Sequence, residues 1–208
     1  MAGRYRVVKL LARGGMGEVY HAEDEELREP VALKIIRPEI AKDRRTIKRF
    51  QREVRLARKV THPNVCRCFD VGYHTADGKT PISFITMELL LGETLSARLK
   101  RGRLATAEAA PLVRQMAAAL SAAHRAGIVH RDFKPDNVLL VPGADGEPLR
   151  AVVTDFGVAR AVAGQVRRGS SLTAAGMKVG TPAYMAPEQV EGAPLTPAAD
   201  VYALGVVL

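Results

Sequence analysis

Two short segments concentrate the groups that can do chemistry. His130-Arg131-Asp132-Phe133-Lys134-Pro135-Asp136-Asn137 sets acids, bases and an amide between a helical pattern and the apolar run Val138–Val141, and Thr154-Asp155-Phe156-Gly157 follows. So polar an octet makes a poor core segment, and taken alone it reads as a loop. Upstream, Ala12-Arg13-Gly14-Gly15-Met16-Gly17-Glu18-Val19 lies between two strand patterns. Glycines there let backbone N–H groups approach phosphate oxygens with no Cβ in the way. By itself such a segment is more often only a turn. Val31-Ala32-Leu33-Lys34 then places one lysine in an apolar strand. It is either an edge-strand lysine facing water or a cation aimed at phosphates. The second reading needs a carboxylate to hold the lysine, and Glu53, one of two acids in a stretch crowded with bases, is the candidate.

These groups need elements to carry them, and the chain changes character near residue 88. Before it, Tyr5–Leu11, Glu18–Ala22, Val31–Ile36, Val65–Val71 and Ile82–Glu88 are rich in β-branched and aromatic residues and read as strands. One basic helical segment, about Asp43 to Lys59, interrupts them. After residue 88, Leu112, Val113, Met116, Leu120 and His124 recur on one helix face until Gly127 stops it. A mostly β lobe, 1–88, therefore precedes a mostly helical lobe, 89–208. There are no internal repeats, and the nearest thing to a linker is the Gly/Ser/Thr-rich stretch Val162–Lys178.

Composition narrows the class. The 208 residues are 47% hydrophobic and 25% charged, which excludes a disordered tail or a fibre. Thirty-one Lys and Arg against 22 Asp and Glu leave a formal charge of +9. Most of the excess sits between Lys42 and Lys59, so acidic partners are to be sought there first. That stretch carries no recognition motif, so no nucleic acid is expected as a partner. Cys66 and Cys68, one residue apart, can neither close an ordinary disulfide nor complete a tetrahedral zinc site. Lys9 cuts the first apolar patch short of a signal-peptide core, and no uncharged run reaches membrane-spanning length. The expectation is a soluble, cytoplasmic protein.

The order of the motifs settles the loop question. Glycine-rich hairpin, V-A-L-K, helical Glu, H-R-D-x-x-x-x-N, D-F-G and Ala186-Pro187-Glu188 appear in succession, and chance production of six such elements in order is negligible. The chain resembles the protein-kinase superfamily over its whole length. Its wording, R-G-G-M-G-E-V-Y, H-R-D-F-K-P-D-N and G-T-P-A-Y-M-A-P-E-Q, looks most like bacterial Ser/Thr kinases of eukaryotic type. The resemblance implies a bilobal α+β fold, with an antiparallel sheet and one helix in the first lobe and a mostly helical second lobe. It implies a single catalytic domain over 1–208 that transfers the γ-phosphoryl group of ATP to protein Ser/Thr hydroxyls.

Carried over residue by residue, the resemblance makes Lys34 the holder of the α- and β-phosphates, positioned by Glu53. Asp132 would accept the hydroxyl proton, Lys134 would neutralise charge on the transferring group, and Asn137 and Asp155 would bind Mg²⁺. Carboxylate, amide and phosphate oxygens are the hard ligands that this ion takes. The nucleotide would lie against Ala12, Gly14, Gly15 and Gly17, with Val19, Ala32 and Leu139 around the adenine. Met87 would stand at the back of that pocket, and the Glu88-Leu89-Leu90 backbone would read the adenine edge. For Val19, Ala32 and Leu139, core packing remains an equal reading. His130, Phe156 and Asp200 would be internal supports.

Three departures qualify the resemblance. Ala12 stands where the first glycine of G-x-G-x-x-G is expected, adding a methyl group. Pro142–Pro148 is an inserted turn-rich tip that should leave Asn137 and Asp155 in register. Family domains continue past the helix opening at Asp200, so the second lobe is expected to be incomplete, with Val201, Leu204, Val207 and Leu208 exposed and Glu188 unpaired. Three functions therefore compete: an active Ser/Thr kinase, an ATP-binding pseudokinase or scaffold without turnover, and, third, a nucleic-acid binder. The resemblance also admits self-association for trans-autophosphorylation. Arg131 before Asp132 points to Thr173, with Ser171 and Ser170 as lesser sites, as a switch whose phosphate would meet Arg131 and Arg49.

Overall fold

The computed structural model describes residues 1–14, 17–36, 44–75, 82–143, 148–156 and 182–208. Its described residues form two compact units, one within 1–58 and 67–89, the other within 59–66, 90–159 and 180–208.

The first unit is a five-stranded antiparallel sheet with one helix. Strands β1 (Tyr5–Gly14), β2 (Gly17–Asp24), β3 (Glu29–Ile36), β4 (Cys68–His74) and β5 (Ile82–Glu88) pair in the order β1-β2-β3-β5-β4. Strand period is two, so the register sorts side chains onto two faces. One face carries Ala22, Val31, Leu33 and Phe84, which with Tyr5 form a buried apolar cluster. Tyr5 meets Phe84 edge to face, ring centroids 5.7 Å apart. Buried Asp24 ties the end of β2 to the N-terminal segment. It accepts from Arg4 Nη2 at 2.6 Å and from the backbone N–H groups of Glu26 and Leu27. The Arg4 guanidinium holds the Asp24 carboxyl below its usual range.

The fourth strand corrects the sequence reading. It runs Cys68–His74, not Val65–Val71, because Val65 belongs to the second unit, where it bridges Val153 in parallel. Both stretches are apolar, and local composition does not distinguish them. Helix α1 (Arg44–Ala57) carries Glu53 and is tied to β4 through Gln51 Nε2 to Tyr73 Oη, 2.6 Å, and the Arg58–Asp70 ion pair, 3.3 Å.

The second unit packs helix α3 (Thr106–Arg125) against a three-stranded sheet of β6 (Glu93–Thr94), β7 (Val138–Val141) and β8 (Arg150–Val153). Helix α2 (Leu95–Lys100) begins where Thr94 Oγ1 accepts from Ala97 N–H, an N-cap written in the sequence. In α3, Leu112, Met116, Ala119, Leu120 and Ala123 are buried at the spacing of one face. The helix stops at Gly127, whose φ of +75° suits the left-handed turn. The Gly127 N–H returns to His124 O and the Ile128 N–H to Ala123 O. Helices α4 (Pro187–Glu191) and α5 (Ala198–Val207) complete the unit.

On α5 the apolar exposure differs in part from expectation. Val201, Tyr202, Val206 and Leu208 are exposed, whereas Leu204 and Val207 are half-buried. Glu188 has no ion pair among the described residues.

Candidate active site

In the first unit the register gathers the sequence-predicted nucleotide residues. Lys34 pairs with Val19 on β2 and Ile85 on β5, and Ala32 pairs with Met87. Directly opposed residues share a face, as do positions i and i+2, so Val19, Ala32, Lys34 and Met87 lie together on the face opposite the Leu33–Phe84 cluster. Lys34 is buried, and half-buried Glu53 sits on α1 of the same unit. Ala12 pairs with Val19 and Gly14 with Gly17, so Ala12 is accommodated within the β1–β2 hairpin. Gly15 lies outside the described residues. Gly17, at φ +147°, has its backbone against Ile35, where a Cβ would come 1.9 Å from the carbonyl oxygen. On the edge strand, Cys68 opposes Met87, and burial pushes its thiol up to about 12. Both cysteines are free thiols.

The second unit assembles the polar octet. A 3₁₀ turn at Pro135–Asn137 feeds straight into β7, so Asn137 is fixed by the strand that follows it. The Asp132 carboxylate receives Lys134 Nζ at 3.2 and 3.0 Å and Asn137 Nδ2 at 3.2 Å. Asn137 Nδ2 also reaches Asp132 O at 2.7 Å, which leaves its amide oxygen without a hydrogen bond among the described residues. Strands β7 and β8 pair from Val138–Val153 out to Val141–Arg150, so the insertion between them closes an antiparallel pair. Residues 144–147 of that insertion lie outside the described residues. One step beyond the pairing, Thr154 N–H donates to Asn137 O at 2.9 Å, which brings Asp155 next to the Asn137 turn. Asp155 adopts φ +64°, a conformation that aspartate tolerates better than most residues.

Supports surround this loop. His130 and Asp200 are fully buried, and Phe156 stacks obliquely on His130 at 4.7 Å. The Asp200 carboxylate accepts from the backbone N–H groups of His130 at 2.7 Å and Arg131 at 2.8 Å, and meets His124 Nε2 at 2.7 Å. His130 Nδ1 accepts from Asp132 N–H, so its Nε2 carries the proton and donates to Thr154 O at 2.8 Å. Arg131 holds φ +68°, which for a long side chain costs on the order of 1–3 kcal/mol and persists only where neighbours enforce it. Leu139 and Leu90 belong to this unit, Leu139 pairing with Thr94 and Val152.

Sequence reasoning missed Gln189, whose Nε2 donates to Arg131 O at 2.8 Å while its Oε1 accepts from Ala186 N–H at 3.1 Å. The available signal was a glutamine three residues after a helix start, a position that reaches back to the first backbone N–H. Ser170, Ser171, Thr173 and Thr181, like the side chain of Arg49, lie outside what is described.

The donor set suits a divalent cation shared with phosphate. Asn137 and Asp155 offer hard oxygen atoms, and Mg²⁺ ordinarily takes one or two such protein ligands and keeps water and phosphate oxygens for the rest. No group of three or more His, Cys, Asp or Glu side chains is placed to hold a metal among the described residues. No helix among them is long and apolar enough to cross a membrane.

Comparison with known proteins agrees with this geometry. Residues 5–208 match the family described as protein kinase domain. The chain is 41% identical over 208 residues to the serine/threonine-protein kinase PknA of Mycobacterium tuberculosis, covering all of this chain and 46% of that protein. It is 41% identical over 209 residues to the serine/threonine-protein kinase pkn3 of Myxococcus xanthus, covering 37% of that protein. The chain thus spans less than half the length of these curated relatives. The crystal structure of the Mycobacterium tuberculosis PknI kinase domain superposes with a TM-score of 0.75 at 31% identity, over 98% of this chain and 72% of that one.

Proposed function

Since this chain belongs to the protein kinase domain family, in its bacterial serine/threonine branch, we propose that it transfers the γ-phosphoryl group of Mg-ATP to Ser and Thr hydroxyls of proteins. One observation carries the reading: the Asp132 carboxylate is held between Lys134 Nζ and Asn137 Nδ2 while the Asn137 oxygen stays available. On this reading they are a base, a cation and a metal ligand within six residues.

In the transfer, a bond forms between the acceptor hydroxyl oxygen and the γ-phosphorus, and the bond to the β–γ bridging oxygen breaks, releasing ADP. Asp132 takes the hydroxyl proton. Lys134 neutralises charge on the moving phosphoryl group, and Asn137 and Asp155 would hold Mg²⁺, which screens the phosphate charges when bound. Lys34 grips the α- and β-phosphates, positioned by Glu53. By the family resemblance, Ala12, Gly14, Gly15, Gly17, Val19, Ala32 and Leu139 would bind the nucleotide, and Met87 and the Glu88 to Leu90 backbone would serve the adenine. Preorganised charge and position supply nearly all the acceleration such a reaction needs.

The expected site of action is the cytoplasm, which supplies ATP and keeps both cysteines reduced. Self-association would serve trans-autophosphorylation, with Thr173 as its main target and Ser171 and Ser170 as lesser ones.

Incubation with γ-labelled ATP, Mg²⁺ and a generic protein substrate tests the proposal. Label on serine and threonine is the expected result. Predominant phosphotyrosine overturns the acceptor class. Nucleotide-dependent thermal stabilisation without any transfer returns the pseudokinase reading.

A further inference from the structure

The structure assigns Gln189 as a positioning residue that sets the peptide plane carrying Asp132, an assignment whose catalytic meaning rests on reading Asp132 as the base. Arg131 stands in the left-handed region at φ +68°, and its neighbours must hold it there. On its amino side, Asp200 takes the N–H groups of His130 and Arg131 at 2.7 and 2.8 Å. Its carbonyl side belongs to the next peptide unit, in which Arg131 C=O and Asp132 N–H are coplanar. Whatever orients that carbonyl therefore orients the start of Asp132.

Hydrogen bonds meet this plane at both its N–H and its carbonyl. Asp132 N–H reaches His130 Nδ1 at 3.3 Å, longer than a well-formed N–H bond. Gln189 Nε2 reaches the Arg131 carbonyl at 2.8 Å, the shorter of the two anchors. The amide of Gln189 is oriented in turn, because its oxygen faces Ala186 N–H at 3.1 Å and so leaves the NH₂ group for Arg131. Arg131, Asp132 and Gln189 line one pocket together with Tyr184 and Met185. One side chain thus connects the Ala186-Pro187-Glu188 segment to the catalytic turn. A glutamate of the same size keeps the contact to Ala186 but turns an acceptor toward the Arg131 carbonyl.

Gln189→Glu and Gln189→Met test this, the first by reversing the donor and the second by removing the side chain's amide. Hydrogen exchange at the Arg131 and Asp132 amides is the primary measurement, with α3 and β8 as internal references. Both variants are expected to exchange at least about tenfold faster at those two amides, with the references unchanged. In phosphoryl transfer, kcat is expected to fall about tenfold or more while the KM for ATP stays within about twofold. Exchange at wild-type rates in either variant overturns the assignment, and so does acceleration spread equally through α3 and β8. If the wild-type chain transfers no phosphate, the kinase reading fails, and the exchange measurement alone still decides the positioning role.

Discussion

Lys134 places its ammonium nitrogen against both carboxylate oxygens of Asp132, at 3.2 and 3.0 Å. Both side chains are largely shielded from water, so the pair is screened less than a surface ion pair. The pairing gives Lys134 a fixed position two residues from the base. Asp132→Asn removes the proton acceptor and keeps the shape. Turnover is expected to fall by roughly 10²-fold or more, with the nucleotide affinity measured by calorimetry nearly unchanged.

The β1–β2 hairpin tolerates no side chain at Gly17. Its φ of +147° and the 1.9 Å approach of a Cβ to Ile35 O on β3 mean that Gly17→Ala forces β2 away from β3. Chemical denaturation should show a loss of about 1–3 kcal/mol, and nucleotide affinity should weaken with it. An alanine variant as stable as wild type would show that the hairpin relaxes freely.

Asp24 predicts how stability responds to acid. Its carboxyl is held low by Arg4 first, with help from the Leu27 and Glu26 N–H groups. The folded value lies below the unfolded one, near ~3.9. The stabilisation is therefore complete above that unfolded value and is lost as pH falls through the folded one. Asp24→Asn should be less stable than wild type at pH 7, and denaturation midpoints of the two should converge as pH falls below the ordinary carboxylate range.

Cys68 should be nearly inert in the native state. With burial pushing its thiol up to about 12, the thiolate fraction at pH 8 is on the order of 10⁻⁴. Mass spectrometry after brief iodoacetamide treatment at pH 8 should find Cys68 unmodified in the native protein and alkylated in denaturant. Rapid native labelling would contradict its burial.

The sequence by itself brought Asp132, Lys134 and Asn137 together, because these groups are local in the chain. Asp132, Lys134 and Asn137 fall within six residues of one another, so the chain keeps them close before any tertiary contact forms. Period-two strands and the Leu112–Leu120 stripe were likewise legible, since burial of one face writes itself directly into residue type. Tertiary structure decided what depends on contacts between distant segments. Cys68–His74 rather than Val65–Val71 became the fourth strand because Val65 found Val153, nearly ninety residues away. Local composition cannot rank two apolar segments that compete for such partners. Strand pairing put Val19, Ala32, Lys34 and Met87 on one face, as register is a property of the sheet and not of any one strand. Asp200 and Gln189 reach the Arg131 backbone from about seventy and about sixty residues away. A backbone carbonyl leaves no mark in the sequence, so the residue that holds it becomes visible only once the chain has folded.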